Sequence, residues 1–326
     1  MTRKIILFFC FFWSQACFSN SNLQYKLAET LFLQNRYEET RVVLENIEVM
    51  SAESRYIYAK TFNINPFSFS RDEYINLKKS AYDGNINAIV SLTYHDFGLG
   101  KDLKNFITPI LSKRATSGDN YAVHLLSFMD NRVKWLTFGA DNGDGRSHYE
   151  LYKYYINGGG FFFFDRNRKK VANKHLELSL DKKFNKAIII KSTDHFIEGN
   201  YKRALKIITP LLNSGDADAI LSLAQNYNLR FKQDKNIAIE NAYYFYYIYN
   251  HFIGDKSSDL SSVGISLNMN IENLKKDLSI EQISSIESNA HTYISNHTVK
   301  YNHNKIYNYS LTDSELQRLR NINWEQ

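Results

Sequence analysis

The chain has 326 residues, is 44% hydrophobic and 15% aromatic, and carries a formal charge of +6 with only 3 prolines, 14 glycines and 2 cysteines. That apolar content excludes a disordered chain, and the shortage of proline and glycine disfavours a turn-rich β-sandwich and suits helices joined by short loops. Both cysteines, Cys10 and Cys17, lie in the first twenty residues, so neither a disulfide-stapled scaffold nor a cysteine nucleophile is expected.

The N-terminus reads as a secretory leader over 1–19. Arg3 and Lys4 precede an unbroken apolar run, Ile5 to Trp13, and small residues follow at Ser14, Ala16 and Ser19. Such a run is too short to span a bilayer as a helix. Cleavage is expected after Ser19 or Ala16, and Cys17 offers a minority lipoprotein reading, although Ser14-Gln15-Ala16 makes a poor lipobox. Losing Arg3 and Lys4 would leave 38 basic against 34 acidic residues, a mild +4. That charge suits an acidic partner or an anionic envelope surface, and export argues against nucleic acid. No later segment is long and apolar enough to cross a membrane.

Next in the chain, "LAETLFLQNRYEETRVVLENI" (27–47) predicts a helical hairpin that acts as an N-terminal cap, with its turn at Asn35-Arg36-Tyr37 matched later by Gly199-Asn200-Tyr201. Five stretches then share one frame: 81–92, 115–126, 140–151, 180–191 and 212–223. The frame places Gly84, Gly118, Gly143, Lys183 and Gly215 four residues before Ala88, Ala122, Ser147, Ala187 and Ala219, usually with Leu four further on. The glycine positions are spaced by 34, 25, 40 and 32 residues, and periods of this size mark helical repeats. Glycine ends one helix in the left-handed conformation, Asp or Asn caps the next, and the small residue lets two helices approach.

The stretch "NYKRALKIITPLLNSGDADAILSLAQNY" (200–227) resembles a Sel-one-like repeat, a bacterial relative of the tetratricopeptide repeat. So does "RVKWLTFGADNGDGRSHYEL" with its Trp135-Leu136 pair. "NAYYFYYIYNHFIGD" (241–255) followed by "LSIEQISSIESNAHTYI" (278–294) resembles the end of such an array, with Ser279 and Gln282 as a capping box. The resemblance covers Glu73 to Ile294 and implies an all-α fold, an α/α solenoid of helical hairpins. The implied organisation is a leader (1–19), an N-terminal helical cap (20–72), a repeat array (73–255) and a C-terminal helical cap and tail (256–326).

Within that scheme "GGGFFFFDRNRKK" (158–170) is an inter-helix loop with about four residues added. Leu151 is fourteen residues from Asp165, against ten from Leu92 to Asp102 and eleven from Leu223 to Asp234. Asp165 is expected to cap the following helix, which runs through Ala172, Leu176 and Leu180. A phosphate loop is excluded because no strand-to-helix turn carries the Lys and hydroxyl it needs. Two readings stay open for Phe161, Phe162, Phe163 and Phe164. They fold back over the neighbouring helices, or they form an apolar lip that docks on a partner. The basic residues Arg166, Arg168, Lys169 and Lys170 beside it read as a solvated helix start or, alternatively, as a contact for acidic groups.

No other chemistry stands out. The nine histidines are scattered without a metal-ligand spacing, no serine nucleophile elbow is visible, and "YYFYYIY" (243–249) reads as helix-packing aromatics. Neither catalysis nor a cofactor is expected. The resemblance implies a periplasmic module that binds another protein, with an immunity protein against a secreted antibacterial effector, such as a type VI lipase, as the leading candidate. An envelope scaffold or a host-facing virulence factor is the alternative. A peptidoglycan or β-lactam hydrolase ranks last, because the members linked to it are disulfide-laced.

Overall fold

In the computed structural model the described residues are 22–62, 70–95, 98–254, 262–301, 307 and 309–324. The leader, its cleavage sites and Cys17 lie outside them. The described chain is all helical: no strand forms among these residues, and two isolated β-bridges are the only extended pairings. The chain divides into two compact units, one holding residues up to Ile107 and from Lys305 onward, the other Thr108–Asn304.

The first unit opens with α1 (22–33) and α2 (Tyr37–Glu45), joined through Asn35 in the left-handed region at φ 59°. Asn tolerates that conformation better than most residues. Ala28, Leu44, Ile47 and Ile57 form a small core between α1, α2 and α3 (Ala52–Lys60). Next, α4 (Arg71–Tyr82) pairs with α3, and Ser80 Oγ donates to the Ala52 carbonyl at 2.6 Å. Gly84, at φ 92°, turns the chain into α5 (Ile86–His95), and the Asn85 side chain accepts from Ala88 N–H at 3.0 Å. The tail returns to this turn. Ile86 N–H donates to the Tyr309 carbonyl at 2.9 Å, and Leu311 N–H donates to the Gly84 carbonyl at 3.1 Å. The closing helix α17 (Asp313–Arg320) starts with a Thr312/Glu315 capping box.

The division between units falls within α6 (Leu99–Thr116). The second unit continues with α7 (Asn120–Met129), α8 (Arg132–Asp141), α9 (Gly145–Ile156), α10 (Asp165–Asp181), α11 (Asn185–Ile197) and α12 (Tyr201–Asn213). It ends with α13 (Ala217–Arg230), α14 (Lys235–Tyr249), a short π-helical turn at Asn250–Gly254, α15 (Ser262–Lys275) and α16 (Ile280–Asn296). Sequential neighbours pack as pairs, most extensively α9 on α10 and α13 on α14.

The repeat frame has a physical counterpart in the turns, caps and packing of most copies. Gly84, Gly118, Gly143 and Gly215 all have positive φ, and so does Lys183, at 57°. The residue after the turn caps the next helix: Asp119, Asp144 and Asp216 each accept from backbone N–H groups two or three residues on. The copy at 180–191 has Phe184 there and lacks a side-chain cap. Ala88, Ala122, Ala187 and Ala219 are fully buried, Ser147 nearly so, and Leu92, Leu126, Leu151 and Leu223 lie on the same buried stripe. Crossings at these residues are close: a Cβ added at Gly139 on α8 would sit 2.2 Å from Ser147 Oγ on α9.

The aromatic run of α14 is core. Tyr243, Tyr246, Ile248 and Tyr249 are buried, and Tyr243 Oη donates to Glu287 at 2.6 Å on α16. Helix α16 starts with the expected Ser279/Gln282 capping box. A second extended contact comes after it. Lys300 N–H donates to the Gly215 carbonyl, and Ala217 N–H donates to the Lys300 carbonyl, both at 3.0 Å.

Candidate functional site

The residues singled out as a partner contact lie together in the loop between α9 and α10 (Phe161, Phe162, Phe163 and Phe164) and in the first turns of α10 (Arg166, Arg168, Lys169 and Lys170). The loop leaves α9 through Asn157 and Gly158 and is set by Tyr154, whose hydroxyl accepts from Gly160 N–H at 2.9 Å. Gly159 lies so close to the Tyr154 ring that a Cβ would fall 2.5 Å from it, and Gly160 takes a left-handed φ of 77°. Both positions need glycine, one for space and one for conformation.

The four phenylalanines do not behave alike. Phe162 is half-buried and sets its edge against Tyr155, centroids 5.8 Å apart. Phe161, Phe163 and Phe164 are 85%, 87% and 69% exposed, and the first two touch each other edge to face at 5.3 Å. One ring therefore anchors the loop while three adjacent rings face outward.

Asp165 does not cap α10 as its position in the sequence suggested. Phe164 occupies the cap position without a side-chain bond, and Asp165 is the first helical residue. An Asp in the first turn still favours the helix dipole, and here the carboxylate turns to the helix's own cations. It pairs with Arg168 and, at 2.9 Å, with Lys169. The Lys169 hydrogen bond holds its carboxyl below the ordinary value. The basic cluster thus splits: Arg168 and Lys169 are engaged by Asp165, whereas Arg166 and Lys170 are exposed and make no ion pair among the described residues. These two lie four residues apart, on one face of α10. Beside the loop, Arg132, Lys153, Tyr154, Asn157 and Gly159 line a shallow groove, where Glu150 pairs with Arg132 at 2.8 Å.

Behind the loop the structure joins two histidines that their sequence spacing does not connect. His148 on α9 and His175 on α10 approach Nδ1 to Nδ1 at 3.0 Å, so one ring donates N–H to the lone pair of the other. Tyr155 stacks on His175 at 5.7 Å with 20° between planes, and Phe162 rests on Tyr155. Burial pushes the His148 pKa down; Lys182 and Lys174 add to this, and Asp144 and Asp141 oppose it. The His175 pKa is also lowered, by burial first, then by His148 and Lys174, against Asp141. Helical spacing places each histidine on the inward face of its own helix but does not pair them. His175 shares a stripe with Ala172, Leu176 and Ser179, and His148 sits between Ser147 and Leu151 on the inward face of α9.

Among the described residues no three or more His, Cys, Asp or Glu groups gather to hold a metal. No described helix is long and apolar enough to cross a membrane.

No protein-family model matches the chain, and no curated protein matches it. Among solved structures, the crystal structure of a protective antigen present in uropathogenic Escherichia coli strains, displaying an SLR fold, is similar at a TM-score of 0.45 and 14% identity. The alignment covers 89% of this chain, which spans 65% of that protein. The hairpin architecture of this chain stands on its own coordinates, in the paired helices and the five-fold turn frame.

Proposed function

We propose that this chain is an exported, non-catalytic helical-repeat module that binds another protein through the α9–α10 loop. The observation that carries the reading is the trio Phe161, Phe163 and Phe164, exposed side by side at the end of a helical hairpin. Contiguous exposed apolar rings are costly in water and mark contact sites. A few aromatics buried on binding commonly dominate an interface. Arg166 and Lys170 beside them favour a partner with an acidic rim, with Arg168 and Lys169 contributing less because Asp165 already neutralises part of their charge. The packed repeat hairpins are a rigid support for such a contact.

Periplasmic export is supported by the basic, apolar and small-residue order of residues 1–19. Within this class, neutralisation of a secreted antibacterial effector is the leading role, and an envelope scaffold or host-facing factor is the alternative. The test is to recover the native partner with the tagged wild-type chain and with a Phe161→Ser/Phe163→Ser/Phe164→Ser variant. A recovered partner that is a toxic enzyme, inhibited by the chain, supports neutralisation. A structural envelope component supports scaffolding.

A further inference from the structure

The two histidines behind the loop are tied to it by a continuous set of contacts. His148 meets His175 through Nδ1, His175 carries the Tyr155 ring, Tyr155 carries Phe162, and Phe162 is the one anchored ring of the loop. Tyr154, next along α9, holds the Gly160 N–H. We propose that the His148–His175 pair is a proton-operated latch on the phenylalanine loop: neutral, it holds the Tyr155–Phe162 stack in place, and doubly protonated, it drives the rings apart and frees the loop.

The geometry determines how protons act. In the neutral pair one ring is the Nδ1–H donor and the other offers its Nδ1 lone pair. A first proton is tolerated at the Nε2 of the donor ring, because the Nδ1–H···Nδ1 bond survives and becomes charge-assisted. A second proton takes the accepting lone pair, and two Nδ1–H groups on two cations then face each other at a separation set for a hydrogen bond. The pair therefore titrates in two coupled steps, the second being disruptive. The charged groups around it do not cancel this. Asp141 at the end of α8 and Asp144 in the α8–α9 turn favour protonation, whereas Lys174 on α10 and Lys182 in the α10–α11 turn oppose it. Two acids stand against two bases, which leaves burial and mutual repulsion to decide.

Only the consequence of the latch, release of a partner in acid, rests on the loop being the partner contact; the latch itself can be measured without a partner. The experiment is a pH titration of the full isotope-labelled chain from 7 downward until both imidazoles have titrated, following the imidazole resonances and the backbone amides of Gly158 to Phe164; global unfolding before the second step is reached would overturn the latch. The expected result is that the loop amides, Gly160 foremost, shift together with the second step of the histidine pair. In His148→Asn, whose amide bonds His175 without titrating, the same amides should stay fixed across that range. If that variant does not fold, His175→Phe retains a ring beneath Tyr155, removes the charge and carries the same expectation. Loop amides that stay still while both imidazoles protonate would overturn the latch, as would amides that move equally in the variant that lacks the paired charge. Partner capture separates the two readings. Capture lost at pH 7 in the triple Phe→Ser variant speaks only for the docking loop. Capture lost in acid by wild type and by His148→Asn alike overturns the latch and leaves the docking surface standing.

Discussion

At the residue scale the fold depends on a few side chains whose size or backbone conformation is constrained. Lys183 holds a left-handed φ of 57° at the frame position that elsewhere is glycine. For a residue with a Cβ this costs about 1 kcal/mol, so Lys183→Gly is expected to stabilise the protein by about that much, read as a higher urea midpoint at unchanged slope. Ala219 is fully buried where α13 meets its neighbours. Ala219→Leu adds volume that the site cannot absorb and should cost about 1–3 kcal/mol, seen as a lower melting temperature. Acid acts through histidine. Partial burial, with Arg146 and Arg132 nearby, holds the His124 pKa down to about 3, and the pKa values of His148 and His175 are also lowered. An imidazole in the unfolded chain ionises near 6.5, so on acidification protons bind the unfolded state first. Stability is then full above about pH 6.5 and falls as pH drops, by up to about 1.4 kcal/mol per pH unit from His124 alone. Thermal melts between pH 7 and pH 5 should decline steadily, and less steeply in His124→Gln.

At the element scale, the helices whose ends carry side-chain signals were legible, and the contacts made by backbone alone were not. The turn glycines, the Asp119, Asp144 and Asp216 caps and the Ser279/Gln282 box each leave a mark in the sequence because a side chain performs the task. Asp165 misled because the same residue type has a competing use: with Arg168 and Lys169 one turn away, its carboxylate pairs with them rather than capping. The return of the tail to the Gly84 and Gly215 turns was invisible, since Tyr309, Leu311 and Lys300 bond through main-chain groups that any sequence supplies. One substitution tests such a contact. Ala217 is the first residue of α13, where proline is tolerated, and Asp216 before it is already extended, as the residue preceding a proline prefers. Ala217→Pro removes the N–H that donates to Lys300 and adds ring carbons at a fully buried position. A loss of at least about 1 kcal/mol, with faster amide exchange at Lys300 and unchanged helix content, is the expected outcome.

At the scale of the whole molecule, the all-helical hairpin architecture was readable from the five-fold frame, because most copies repeat the same turn glycine, helix cap and small packing residue. Which faces stay exposed was not readable. The four phenylalanines look equivalent in sequence, and only the fold separates Phe162, seated on Tyr155, from the three rings that face outward. Nor could spacing alone pair His148 with His175, which meet because α9 and α10 run side by side. Under the proposed function, stability resides in the packed hairpins and recognition in the loop that exposes Phe161, Phe163 and Phe164. The most direct test of that division is partner capture from the native host by the Phe161→Ser/Phe163→Ser/Phe164→Ser variant, at a temperature well below its verified melting transition. The variant is predicted to melt within a few degrees of wild type and to retain less than about a tenth of the captured partner, as expected when buried aromatics carry an interface. Capture at the wild-type level by the folded variant would contradict the division.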